Sequence, residues 1–226
     1  MTEVALAEEL LLLAYDDKSG KATGSRIGLD LGMAAAVLVD LALAGRLSYS
    51  QGSIVAVDPT PTGNAIEDEV LGRMAADTPH TPASWVQRLR HGLRNRILAD
   101  LVAREIICDI DETAMDGHVH VHRYPQVDPS VEAAIRDRLA AALTGEKVPD
   151  ERTAALATLV AAVRMEPVLG LTGAAVEDAH RRLEEIAGGA GFSGGISLEE
   201  STVRPSVTLV VAALIRAIDA ALGTRP

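Results

Sequence analysis

The chain has 226 residues, of which 48% are apolar and 23% charged, with a mean hydropathy of +0.17. That composition excludes disordered, collagen-like and disulfide-scaffold classes, and the length suffices for a substantial core in a single domain over residues 1–226. A formal net charge of −11 opposes sequence-independent attraction to nucleic acid, and five aromatic residues (Tyr15, Tyr49, Trp85, Tyr124 and Phe192) are too few for a base-stacking platform.

Residues 4–15 carry Leu6, Leu10 and Leu13 on one side and Glu3, Glu8 and Glu9 opposite, which predicts an amphipathic helix ending at the turn 16–20. The N-terminus lacks the positive region of a secretory signal, and no apolar run reaches the ~20 residues of a membrane span, so a cytoplasmic protein is expected. A second helix is predicted over 27–44, ended by Gly45 and nearly all apolar from Met33 to Leu43, which marks it as central to the core. Segments 47–50 and 54–57 flank Gln51-Gly52-Ser53 and read as a hairpin, placed like the wing of a winged-helix arrangement.

Past the rigid turn 58–63, Asn64 caps a helix over 65–76, and Thr81-Pro82 opens a helix expected to continue to about residue 104, with Ser84 and Gln87 as an alternative capping box. Residues 105–111 and 118–124, around a turn at Asp116-Gly117, form a second predicted hairpin with Cys108 as a small buried strand residue. Helices follow over 128–143, 150–165 and 172–186. A Gly-rich connector at 188–195 precedes a last, nearly all-apolar helix at 205–222. The fold class is therefore mainly α, a multi-helix domain with two β-hairpins.

Positive charge is most concentrated at Arg88, Arg90, Arg94, Arg96 and Arg104 with His91, all on the helix expected from residue 82. Arg90 and Arg94 stand one turn apart and His91 three residues before Arg94, a spacing that can converge on one phosphate. The alternative is that these arginines pair with carboxylates of neighbouring helices. His118, His120 and His122 alternate on one strand, with Asp109 and Asp111 across the hairpin. Neutral imidazoles so spaced can share a metal or simply form a polar strand face, and no metal or other cofactor is assigned. No nucleophile elbow, Walker loop or His-Glu-x-x-His motif is present, and Gly188–Gly195 lacks the ending of a phosphate loop. Phe192 is either an exposed apolar tip or folded back on the core.

Five strings in order resemble the Golgi phosphoprotein 3 family, which includes vacuolar protein sorting 74-like members. They are Leu6-Ala-Glu-Glu-Leu-Leu-Leu-Leu13, Asp17-Lys-Ser-Gly20, Leu41-Ala-Leu-Ala-Gly-Arg-Leu47, Pro61-Thr-Gly63 followed by Asp68-Glu69-x-Leu71, and Leu93-Arg-Asn-Arg-Ile-Leu-Ala-Asp-Leu-Val102. The resemblance implies a mainly α fold with a hairpin used in self-association (here 105–124), no enzymatic activity, and peripheral attachment to membranes through phosphatidylinositol 4-phosphate. Eukaryotic members also hold cytosolic tails of glycosyltransferases. The family's pocket tryptophan falls at about Ser25 and an arginine of the second helix at about Ala34. Arg94 and Arg96 match the family's arginines, and the position one turn earlier is His91, with Arg90 beside it. The expected site is therefore Ser25, Arg90, His91, Arg94 and Arg96 facing an anionic phospholipid head group, with half of the family's contacts replaced. The Ala-rich, Lys-poor composition is compatible with a prokaryotic-type member.

The runner-up is a cytosolic protein–protein scaffold of the same fold without lipid binding, assembled through the second hairpin. A DNA-reading winged helix is disfavoured by the net charge and by the lack of a basic helix beside the wing.

Overall fold

A computed structural model describes residues 4–16, 20–114, 119–144, 148–169, 174–185 and 204–223. The connector at 188–195, with Phe192, lies outside them, as do His118 and the turn at 116–117. Among the described residues the chain forms nine α-helices and two separate two-stranded antiparallel sheets, in the order α1 (Leu6–Ala14), α2 (Arg26–Leu43), β1 (Leu47–Ser50), β2 (Ser53–Ala56), α3 (Ala65–Ala76), α4 (Pro82–Leu89), α5 (Leu93–Ala103), β3 (Ile110–Ala114), β4 (Val119–Arg123), α6 (Ser130–Thr144), α7 (Glu151–Ala162), α8 (Ala174–Glu185) and α9 (Arg204–Gly223). The mainly α reading with two hairpins holds.

Helix α2 forms the centre, with α1, α3, α4, α5, α7 and α9 packed around it. Its run from Leu31 to Ala42 is buried on every side, apolar except for Asp40, whose carboxylate is met by Arg152. Among the described residues the fully buried core contains one aromatic side chain, Trp85. Local signals set the helix starts: the Asn64 side chain accepts from the N–H groups of Ile66 and Glu67, Thr81 from Ser84 and Asp150 from Thr153. Thr81 therefore caps α4, and the alternative box at Ser84 is not used.

Three expectations are corrected. The helix from residue 82 does not run on to 104. It stops at Leu89, and α5 begins at Leu93 after Gly92, whose φ of +76° is left-handed backbone that no helix interior accommodates. Cys108 is exposed in the irregular stretch before β3, and the buried residues there are Ile106 and Ile107.

The third correction concerns α1. Glu8 and Glu9 do not face water: all nine residues of the helix are buried, because arginines from distant segments meet the two carboxylates. Glu8 accepts from Arg104 at 2.8 Å and from the Ala5 N–H at 2.9 Å. Glu9 accepts from Arg138 at 2.5 Å and from Arg152 at 3.2 Å. Arg152 also reaches Asp40 of α2 at 2.9 Å, and the other Asp40 oxygen accepts the Leu6 N–H at 2.7 Å. This ionic belt ties α1, α2, α5, α6 and α7 together at one end of the bundle.

Candidate functional site

The start of α2 is built by two contacts. The Ser25 hydroxyl accepts from the Gly28 N–H at 3.2 Å, satisfying an otherwise open donor of the first turn. The Arg94 guanidinium, on α5, donates to the Arg26 carbonyl at 2.8 Å and pairs with Asp30 at 2.8 Å. Arg94 is buried, so its charge is spent inside the protein on fixing α5 against the first turn of α2. The sequence-predicted residues Ser25 and Arg94 are thus brought to one place, and both act on the backbone there.

The other arginines separate into paired and unpaired. Arg96 meets Glu69 of α3 through two hydrogen bonds, at 3.1 and 2.5 Å, with both side chains exposed. Arg88 pairs with Asp77 at 3.0 Å, and Arg104 with Glu8 and Asp100. Arg90 and His91, on the break between α4 and α5, have no carboxylate within ion-pair reach among the described residues. Arg90 is half-buried and its Nε has no hydrogen-bond partner, whereas His91 is exposed. Because Gly92 interrupts the helix, Arg90 and Arg94 do not stand one turn apart on a single helix.

Two further cations border this region and were not singled out by sequence. Arg26 is exposed at the first position of α2, and Arg164, exposed after α7, follows Val163, whose carbonyl lies 3.2 Å from where a Cβ on Gly28 would stand. Neither has an ion-pair partner among the described residues. A cavity of about 310 Å³, lined by Tyr15, Asp16, Thr23, Gly24, Arg136 and Arg164 among others, opens on the turn leading to Ser25. Burial raises the Tyr15 phenol above its ordinary value, with Arg94 and Arg26 acting in the opposite direction. Spacing could not have found these residues, since 138 residues separate Arg26 from Arg164 (164 − 26).

The second hairpin joins the same side. Tyr124 packs edge-on against Tyr15 at 5.7 Å, and its N–H donates to the Gly20 carbonyl at 2.9 Å. Asp111 is the register partner of His122, and the His122 Nδ1 lies 2.8 Å from Asp109, which holds the imidazole pKa above its ordinary value. Among the described residues no three His, Cys, Asp or Glu side chains gather as a metal site. No helix among them is long and apolar enough to cross a membrane.

The chain is 24% identical over 167 residues to vacuolar protein sorting-associated protein 74 of Eremothecium gossypii, covering 64% of this chain and 50% of that protein. It therefore spans about half the length of that curated relative. The sequence profile of the family described as Golgi phosphoprotein 3 (GPP34) matches residues 6–221, nearly the whole chain from α1 to α9, and the protein belongs to that family.

Proposed function

We propose that this protein is a non-enzymatic, cytoplasmic adaptor that attaches peripherally to membranes by binding anionic phospholipid head groups at the N-terminal turn of α2. Phosphatidylinositol 4-phosphate is the head group suggested by the family resemblance. The observation that carries this reading is the distribution of unpaired cations. Arg26 stands on that turn, Arg164 follows Val163 beside it, and Arg90 and His91 lie on the α4–α5 break a few residues before Arg94, which is bonded to it; none of the four has an ion-pair partner among the described residues, while Arg88, Arg94, Arg96 and Arg104 are all ion-paired. In a chain of net charge −11, uncommitted cations beside a helix N-terminus are the part of the surface suited to a phosphate. Arg90 and His91 contact the head group, Ser25 and Arg94 hold the receiving turn in shape, and Arg96 exchanges Glu69 for phosphate. Membrane-protein cytosolic tails are the protein partners on this reading, and nucleic acid is not a ligand.

The test is flotation with neutral, phosphatidylglycerol-rich and phosphatidylinositol 4-phosphate-doped liposomes at two salt concentrations. Binding to charged vesicles is expected to weaken with salt and to fall about tenfold or more in Arg90→Glu and Arg26→Glu, since each reverses a direct contact. The control Arg73→Glu, on α3 away from the turn, should bind as wild type. Binding unaffected by the first two substitutions would refute the site.

A second reading, self-association through the 105–124 hairpin, is supported by the β3–β4 sheet. Neither strand pairs with a third among the described residues, and Ile110 is exposed at its base. Deleting residues 110–123 should lower the native mass if this edge assembles copies of the chain. An unchanged mass overturns self-association.

A further inference from the structure

The cavity of about 310 Å³ lies between the end of α1, the residues that lead into Ser25, and the segment that follows α7. Its wall carries two polar groups with nothing to bind inside the protein. The Arg164 guanidinium has no ion-pair or hydrogen-bond partner among the described residues, and the Tyr15 hydroxyl has no hydrogen-bond partner among them. The other arginine on the wall, Arg136, is committed to the Glu132 carboxylate and to the Val168 carbonyl.

Both open groups are held in place. The Tyr15 ring packs edge-on against Tyr124 at 5.7 Å, and its phenol lies within electrostatic reach of Arg26 and Arg94, beside the first turn of α2. Arg164 directly follows Val163, the C-cap of α7, and has a φ of +58°. That is left-handed backbone, where glycine is the unstrained occupant. The chain carries an arginine there instead, and the guanidinium it brings reaches the cavity wall.

We infer that this cavity receives a phosphorylated polyol, whose phosphate meets Arg164 and whose hydroxyls meet Tyr15 and Thr23. The Thr23 hydroxyl donates to the Ala14 carbonyl at 2.9 Å, which leaves its lone pairs for a ligand hydroxyl, and the phenol both donates and accepts. The Asp16 carboxylate on the same wall is a further acceptor for hydroxyls. An ammonium-bearing head group would bring a like charge to a guanidinium that no carboxylate offsets. A bare phosphate would leave most of the space unfilled, since the volume is that of a small-molecule site. The inference rests on the membrane reading where the polyol belongs to a lipid, and it names the head-group class: a glycerol or inositol head rather than serine or ethanolamine. A free polyol phosphate offers the same chemistry.

Glycerol phosphate is the soluble probe, with phosphoethanolamine, which has an ammonium in place of the hydroxyls, as its control. Calorimetry should show glycerol phosphate bound at least about tenfold more tightly. Arg164→Gly should weaken it at least about tenfold while thermal unfolding occurs no lower than in wild type, because glycine relieves the left-handed backbone. Tyr15→Phe, which keeps the ring on Tyr124, should weaken it about threefold or more. Flotation with vesicles of phosphatidylglycerol and of phosphatidylserine, equal in net charge, is the lipid arm: the glycerol head group should be preferred, and Arg164→Gly should abolish the preference. Either signature, lost in Arg164→Gly, supports the cavity. Glycerol phosphate bound in solution with neither vesicle floated assigns the cavity to a free polyol phosphate and refutes the membrane reading alone. Vesicles floated equally with no glycerol phosphate bound overturn the cavity and leave the membrane reading standing. Equal binding of phosphoethanolamine, or Arg164→Gly binding as wild type, also overturns it.

Discussion

Arg94 lies 2.8 Å from Asp30, one turn into α2, and the same guanidinium holds the Arg26 carbonyl. Removing it leaves a carboxylate and a carbonyl without their donor. Arg94→Ala should therefore cost about 2 kcal/mol, less than for a fully buried pair because the Asp30 side chain is a quarter exposed. A double-mutant cycle with Asp30→Ala, read by denaturant unfolding, should give a coupling of ~1–2 kcal/mol. A lipid-binding defect in Arg94→Glu would then be structural in part, which makes Arg90 and Arg26 the cleaner probes.

The belt carboxylates give stability an unusual pH dependence. Burial raises Glu8, Glu9 and Glu67 above their ordinary values and Asp40 to about 7, so the folded state binds protons that the unfolded chain has already released. Their contribution is complete below the unfolded carboxylate range and is lost as pH rises through the folded values. In the opposite sense, Asp77, Asp128 and Asp150, held low chiefly by hydrogen bonds from nearby backbone N–H and hydroxyl groups, lose their contribution as pH falls through their lowered values. Denaturation midpoints should rise from about pH 8 to a maximum near about pH 5 and fall below about pH 4. Asp40→Asn should flatten the upper arm, where Asp40 alone contributes on the order of 3 kcal/mol.

Gly20 holds the second hairpin to the body. Its φ is +60°, and an added Cβ would stand 2.8 Å from the Tyr124 backbone nitrogen. Gly20→Ala should destabilise the protein by ~1–3 kcal/mol, with the loss concentrated where Tyr124 meets Gly20. Hydrogen exchange at the Tyr124 amide, normally bonded to the Gly20 carbonyl, should accelerate while exchange in α2 remains slow.

Because Cys108 is exposed and is the sole cysteine, the native protein should take up one equivalent of a maleimide without denaturant. A fluorophore placed there would report on the base of the β3–β4 hairpin. Protection of this thiol in the native protein, relieved on dilution, would support association through that face.

Helix positions were legible wherever local chemistry decides them. Asn64, Thr81 and Asp150 cap the helices that begin after them, and the first hairpin follows from alternation around its turn, whereas the first strand of the second lies at Ile110–Ala114 rather than over 105–111. The errors arose where partners distant in sequence decide. Glu8 and Glu9 read as a solvent face because Arg104, Arg138 and Arg152 lie roughly 95 to 145 residues away. The run from residue 82 read as one helix because a lone glycine signals a break only weakly unless its φ is known. Ser25 and Arg94 were legible through the resemblance, but their inward roles were not, since the Asp30 partner carries no motif. Arg26 gave no signal because its significance lies in having no ion-pair partner among the described residues.

The single Trp85 is buried in α4, with the His80 ring edge-on at 5.2 Å and the Arg88 guanidinium 6.0 Å above it, and α4 packs against α9. The protein therefore carries one intrinsic fluorophore at one known place. Its emission should be blue in the native state and should shift to the red only when the α4–α9 contact opens. Since α4 ends one residue before Arg90, a shift in tryptophan emission on adding charged vesicles would report, without any label, whether the lipid encounter disturbs the packing behind the basic turn or leaves it rigid.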